Sequence, residues 1–107
     1  MLGKKVTIIV DRPLGTAHPK HPHIVYPVNY GYVPDVIASD GEEQDVYILG
    51  VDTPLETFTG KVIAIIHRKN DVEDKWVIVP EHMTFTEQEI REMTDFQERY
   101  FNIEIKM

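Results

Sequence analysis

Short runs of β-branched and aromatic residues, broken repeatedly by glycine and proline, fill the chain as far as Pro80. Val6 to Val10 is bounded by Pro13 and Gly15, and the pieces Ile24–Tyr26 and Tyr30–Val33 bend at Pro27 and Gly31. Asp45 to Leu49 stops at Gly50, Lys61 to Arg68 follows Gly60, and Lys75 to Val79 stops at Pro80. Strands of this length and spacing predict a small antiparallel barrel. Val62, Ala64, Ile65 and Ile66 do not alternate cleanly with polar residues, which predicts a strand covered on both faces.

After Pro80 the period changes. Thr86 and Glu89 have the spacing of a capping box, flanked by Phe85 and Ile90 as a hydrophobic staple. Ile90, Met93, Phe96 and Tyr100 recur at helical spacing, with Glu87, Arg91, Glu98 and Arg99 turned outward. One amphipathic C-terminal helix, about 86–101, is therefore expected to lie on the barrel, its apolar stripe facing the core. Ile103 to Ile105 reads as a last short strand or as an arm onto a neighbouring subunit. The fold class is mainly β with one helix (α+β).

With 107 residues, 42% hydrophobic and 27% charged, the chain suits a single soluble domain, and a homo-oligomer interface would add stability. The net charge of −7 argues against nucleic acid, which requires a basic face. The apolar runs are too short for a signal peptide or a membrane span of roughly 20 residues, so a cytoplasmic location is expected. There is no cysteine, which removes disulfides, thiolate metal sites and thiol nucleophiles.

Two acidic clusters lie at strand ends: Asp40-Gly41-Glu42-Glu43-Gln44-Asp45 and Asp71-Val72-Glu73-Asp74-Lys75. Either one alone reads as a solvated turn; the repetition points to a divalent-cation site, because carboxylates sharing a cavity repel unless cations separate them. Oxygen-only ligation suits Mg²⁺, with Mn²⁺ as an alternative. Lys75 and the tyrosines of Tyr26-Pro27-Val28-Asn29-Tyr30-Gly31-Tyr32 add donors for an anionic ligand, so the combination suggests phosphoryl chemistry. His18, His21 and His23, interleaved with Pro19 and Pro22, are open to three readings: a stiff surface loop, a phosphate contact or a transition-metal site. His67 and His82 read as structural, and Trp76 as packed.

The tyrosine run, the Asp-Gly-acid-x-x-Asp at 40–45, the Asp-x-x-Asp-Lys at 71–75 and Phe96-Gln97-Glu98-Arg99-Tyr100 together resemble the soluble family I inorganic pyrophosphatases. The resemblance implies a five-stranded OB-like barrel with a packed helix, and Mg²⁺-dependent hydrolysis of pyrophosphate by an activated water. It makes Asp40, Asp45, Asp71 and Asp74 metal ligands and sets Glu42, Tyr30 and Arg12 at the catalytic positions. Arg12, Lys75 and Tyr100 then contact phosphate. The chain departs from the family in having Glu42 for aspartate, Phe101 for a lysine, and a shorter overall length. Between Arg12 and Tyr26 it has either an inserted loop or a shifted first strand, and in the second case Lys5 serves as a first-strand lysine and Lys20 or His18 replaces the arginine. These departures leave two alternatives to a pyrophosphatase: a weak or inactive phosphate- or nucleotide-binding module, and a hydrolase of a larger phosphoanhydride. A histidine-loop metalloprotein is a third.

Overall fold

The computed structural model describes residues 1–107. Six strands and one helix follow in the order β1 (Lys5–Arg12), β2 (Asn29–Ile37), β3 (Glu43–Ile48), β4 (Thr57–Arg68), β5 (Asp74–Val79), α1 (Glu87–Glu98) and β6 (Ile103–Lys106). The sheet runs β1-β2-β3-β5-β4-β6, and pairing of β1 with the first half of β4 closes the first five strands into a barrel. One pair departs from the antiparallel expectation: β3 and β5 are parallel, with Val46 opposite Trp76 and Ile48 opposite Ile78. That pairing sets the starts of β3 and β5, and with them the two acidic clusters, on one edge of the barrel.

Alternation along the strands builds two apolar layers. Val6, Ile8, Val10, Val33, Val46, Ile48, Val62, Trp76 and Ile78 form one cluster. Tyr30, Tyr47, Leu49, Ala64, Ile66, Val77 and Val79 belong to the other, together with Ile90 of the helix. β1 is buried on one face only and feeds the first cluster, so that cluster is the barrel interior and the second lies between barrel and helix. β3 and β5 serve both layers, which is why they read as continuous apolar runs.

The irregular pattern in β4 has a specific cause. Val62 pairs with Ile78 and Ala64 with Val77, leaving Ile63 as an extra residue in a bulge. Val62 therefore faces the interior while Ala64 and Ile66 face the helix. A further constraint acts where β1 meets β2, since a Cβ on Gly31 would lie 2.1 Å from the Ile9 carbonyl oxygen. Only glycine permits that approach.

The capping box forms as expected: the Glu89 N–H donates to Thr86 Oγ1 at 3.2 Å and the Thr86 N–H to Glu89 Oε1 at 2.9 Å. The buried face of the helix, however, is not the expected stripe. Ile90, Thr94, Gln97 and Glu98 are buried, Met93 and Phe96 are half-buried, and Tyr100 lies beyond the helix and is 61% exposed. Glu98 corrects the expectation most sharply, being 2% exposed rather than turned to solvent. Its carboxylate accepts from Arg68 Nε at 3.0 Å, from Arg68 Nη2 at 2.7 Å and from the Tyr47 hydroxyl at 2.6 Å. The tail pairs with β4 as β6, Ile105 opposite Ile66, so it is used within the chain rather than as an arm. No helix is long and apolar enough to cross a membrane.

Removing one partner of a buried, hydrogen-bonded ion pair strands the other charge out of water. Glu98→Ala is expected to cost about 3–5 kcal/mol in urea unfolding. Replacing Arg91, which pairs with Glu87 on the exposed helix face, should change stability by less than about 1 kcal/mol. Equal costs at the two positions would contradict the assignment of Glu98 as the helix anchor.

Candidate active site

The parallel start of β3 and β5 puts Asp45 beside Lys75. The Lys75 ammonium is buried and donates to Asp45 Oδ2 at 2.7 Å and to Glu73 Oε1. Gln44 ties the two strand ends together, its Nε2 donating to the backbone oxygen of Asp74 at 2.8 Å and that of Asp45 at 3.0 Å. Glu73 also accepts from Arg68 Nη1 at 3.0 Å, and Arg68 holds Glu98.

From Glu98 the hydrogen bonds continue without a break. Tyr47, which donates to Glu98, accepts from Gln97 Nε2 at 2.7 Å. Gln97 Oε1 in turn accepts from the Tyr26 hydroxyl at 2.6 Å, and Tyr26 accepts from Arg12 Nη1 at 2.6 Å. The sequence Arg12–Tyr26–Gln97–Tyr47–Glu98–Arg68–Glu73–Lys75–Asp45 thus joins the end of β1 to the start of β3 through the helix. No buried side-chain nitrogen or oxygen in the chain lacks a partner.

This polar run lies along a cavity of about 550 Å³. Arg12, Arg68 and Lys75 line it against Asp45 and Glu73, three cations to two carboxylates, although the whole chain carries −7. Tyr30 lies between Arg12 and Lys75, with its ring centroid 5.4 Å from the Arg12 guanidinium carbon and 5.6 Å from the Lys75 nitrogen. Tyr100, Phe101 and the histidines at 18, 21 and 23 complete the lining. Phe101 covers Arg68, 3.7 Å from guanidinium carbon to ring centroid.

Burial and the neighbouring Asp45 push the Tyr30 hydroxyl well above the ordinary tyrosine range. Burial, reinforced by Glu98, does the same to Tyr47. Both therefore remain proton donors at neutral pH. Burial works against the Arg68 charge, but the hydrogen bonds and charge of Glu98, with Glu73 behind them, outweigh it and hold the guanidinium protonated.

Of the residues singled out in the sequence, Arg12, Tyr30, Asp45, Lys75 and Tyr100 meet at this cavity. Lys20, Asp40, Glu42, Asp71 and Asp74 do not line it. Asp40 accepts from the Glu42 N–H at 3.0 Å within a turn where Gly41 has φ +85°, and Asp71 accepts from the Val72 N–H at 2.7 Å. Asp74 is bonded to His67 Nδ1 at 2.6 Å; Glu42 and Lys20 are exposed. Arg68, Glu73 and Gln97 had no assigned role in the sequence reading. For Gln97 the signal was present in the spacing of 90, 94, 97 and 98, a helical face once polar residues are admitted to it.

Fold and cavity together describe a closed five-stranded barrel, braced by one helix, whose cavity is lined by three cationic side chains and two tyrosines. The model of the family described as inorganic pyrophosphatase matches residues 4–105, and the chain belongs to that family. It is 32% identical over 114 residues to an inorganic pyrophosphatase of Halobacterium salinarum, covering 91% of this chain and 59% of that protein. With an inorganic pyrophosphatase of Saccharolobus solfataricus it shares 37% identity over 81 residues, 72% of this chain and 44% of the other. The chain thus spans about half the length of these relatives. Among solved structures, the inorganic pyrophosphatase of Ehrlichia chaffeensis superposes with TM-score 0.73 at 17% identity, covering 99% of this chain and 87% of that one. The Neisseria gonorrhoeae enzyme gives 0.70 at 21%, covering 92% and 74%. At these identities the structural likeness concerns the fold.

Family membership implies a divalent-metal cofactor. No three carboxylates or histidines are close enough to form a cage, so the residues do not fit a resident, all-protein metal site. Asp45 and Glu73, the two carboxylates at the cavity, fit the sparser arrangement in which Mg²⁺ is held by one or two carboxylates and the substrate's own phosphates.

The raised phenols set a pH limit on the polar run. Above about pH 10 the unfolded chain releases tyrosine protons that the folded chain retains at 30 and 47, so stability is complete below that pH and falls as pH rises past it. The urea midpoint should drop between about pH 9 and 11, and less so in Tyr47→Phe. An identical drop in the variant would contradict the retention of the Tyr47 proton by the folded chain.

Proposed function

We propose that the chain hydrolyses inorganic pyrophosphate to two orthophosphates, with Mg²⁺ carried in on the diphosphate and Mn²⁺ able to replace it. The observation that supports this is the meeting of Arg12, Tyr30, Lys75 and Tyr100 beside Asp45 at one cavity, within residues 4–105, which the family model matches. When bound, the ion offsets diphosphate charge and acidifies a water. The chain's own side chains do the rest. Arg12 supplies a planar, permanently charged donor for phosphoryl oxygens, pre-oriented by Tyr26. Lys75, whose ammonium is held by Asp45 and Glu73 and has three N–H groups, supplies a second cation, and these pre-oriented donors favour the transition state in which charge spreads over the transferred group. Asp45 holds Lys75 in place and is the carboxylate through which the ion can be shared. Water adds to one phosphorus as the bridging P–O bond breaks, so no covalent intermediate with the protein is needed. Self-association and a cytoplasmic location belong to the same proposal, as does the absence of a nucleic-acid partner, which the charge of −7 supports.

Phosphate release from pyrophosphate by purified protein, across pH and with Mg²⁺ or Mn²⁺, tests the reading. Asp45→Asn should lower kcat/KM by about a hundredfold, the scale of losing one positioning group; release no faster than from that variant would overturn it. Glu42, on an exposed turn outside the cavity, should tolerate Glu42→Asp within about twofold.

One observation favours a second reading, a phosphate- or nucleotide-binding module without turnover: Lys75 and Arg68 both already have carboxylate partners. Calorimetry separates the two, since a module binds pyrophosphate while releasing no phosphate.

A further inference from the structure

We propose that the hairpin carrying His18, His21 and His23 is a second anion subsite, with ring N–H groups that bind the phosphoryl end of a diphosphate not held by Lys75. The inference rests on the proposed function for the ligand's being a diphosphate; the subsite itself rests on the following geometry.

The segment is a built hairpin rather than a loose loop. Ala17 bridges Val25, the Gly15 N–H donates to the Tyr26 oxygen at 2.7 Å, and the Tyr26 N–H returns to the Thr16 oxygen at 2.9 Å. Nearer the tip, the His18 N–H donates to the Ile24 oxygen at 2.8 Å and the Ile24 N–H to the His21 oxygen at 2.9 Å. Pro19 and Pro22 limit the conformations the tip loses on ordering. All three imidazoles line the cavity, with ring centroids 5.0 Å apart for His18 and His21 and 5.9 Å apart for His21 and His23. His18 stacks on Tyr26 at 6.2 Å, the tyrosine whose hydroxyl accepts from Arg12. The histidine wall therefore continues directly from the Arg12 guanidinium.

The chemistry of His18 is narrowly fixed. The Lys20 N–H donates to its Nδ1 at 3.0 Å, so Nδ1 is the acceptor and the proton of the neutral ring resides on Nε2. Burial, with Arg12 and His21 adding to it, holds the ring below the ordinary histidine range. His18 is thus a neutral N–H donor at physiological pH, with one ring nitrogen still free to donate. Neither His21 nor His23 pairs with a carboxylate. The charged and titratable groups facing the hairpin across the cavity are Arg12 of β1; Tyr30 and Asp45 of β2 and β3; Arg68 and Lys75 of β4 and β5, with Glu73 in the turn between those strands; and Tyr100 beyond the helix, with Lys20 on the hairpin itself. Asp45 and Glu73 are engaged by Lys75, so no free carboxylate competes for the rings. A wall of imidazoles beside an arginine suits a multiply charged, oxygen-rich anion.

The probe is methylenediphosphonate, which is not hydrolysed, titrated into full-length protein with and without Mg²⁺. Nitrogen-detected imidazole NMR should show saturable shifts of the His18 Nε2 signal. Calorimetry should show Kd raised about tenfold in His18→Leu and held within about threefold in His18→Gln, whose amide restores a donor. His18 is only half-buried, at the base of an exposed tip (residues 19–23), so these variants are expected to keep the wild-type circular dichroism. Unmoved ring signals in both conditions, or a Leu variant that binds as the wild type does, would overturn the subsite. So would ring signals that respond to Mn²⁺ alone and not to the anion. Phosphate release with KM unchanged in His18→Leu would sink the subsite and leave the proposed function standing; histidine-dependent binding without any release would do the reverse.

Discussion

A buried arginine is costly unless its charge is paired and its donor fork filled, and Glu98 does this for Arg68 through Nε and Nη2. The guanidinium comes from the end of β4 and the carboxylate from the last turn of the helix, so the pair fixes the angle at which helix meets barrel. Because every remaining donor and acceptor around it is satisfied, the pair is the centre of a longer run rather than an isolated bridge. Through Tyr47 and Gln97 it reaches Arg12, and through Glu73 it reaches Lys75. The groups proposed to grip phosphate are therefore oriented by the same bonds that hold the fold together.

Much of that fold was legible in the sequence. Val6–Val10 and Lys75–Val79 lie on strands β1 and β5, and Asp45–Leu49 lies on β3 as far as Ile48, because β-branched runs stopped by glycine or proline have few other solutions in a small protein. The helix was announced by Thr86 and Glu89, a signal that depends only on local hydrogen bonds. Features set by tertiary pairing were not legible. The bulge at Ile63 exists because one strand serves both barrel layers, and the parallel β3–β5 contact follows from barrel closure. Helical periodicity misplaced Glu98 because it sorts residues by polarity, whereas the barrel offers that position a buried guanidinium.

The site divides along the same line. Arg12, Tyr30, Asp45, Lys75 and Tyr100 share the cavity, and Lys75 follows a cluster whose repetition was visible in the sequence. Asp40, Asp71 and Asp74 look equivalent to Asp45 as letters, yet local N–H groups and His67 engage them instead. Glu73, separated from Asp74 by no chemical signal, is the carboxylate that joins Asp45 at Lys75. A net charge of −7 coexists with a cavity in which cations outnumber carboxylates, a reversal that only the folded arrangement reveals.

If one hydrogen-bonded run couples helix anchor and phosphate-gripping groups, then its separated members must act as a unit. Tyr26 and Tyr47 are the direct test, since Gln97 bonds both hydroxyls. A double-mutant cycle of Tyr26→Phe and Tyr47→Phe, read by urea unfolding, should depart from additivity by about 0.5–3 kcal/mol. Additivity to within about 0.3 kcal/mol would contradict the account, because the two ends would then be independent bonds that happen to meet at one glutamine.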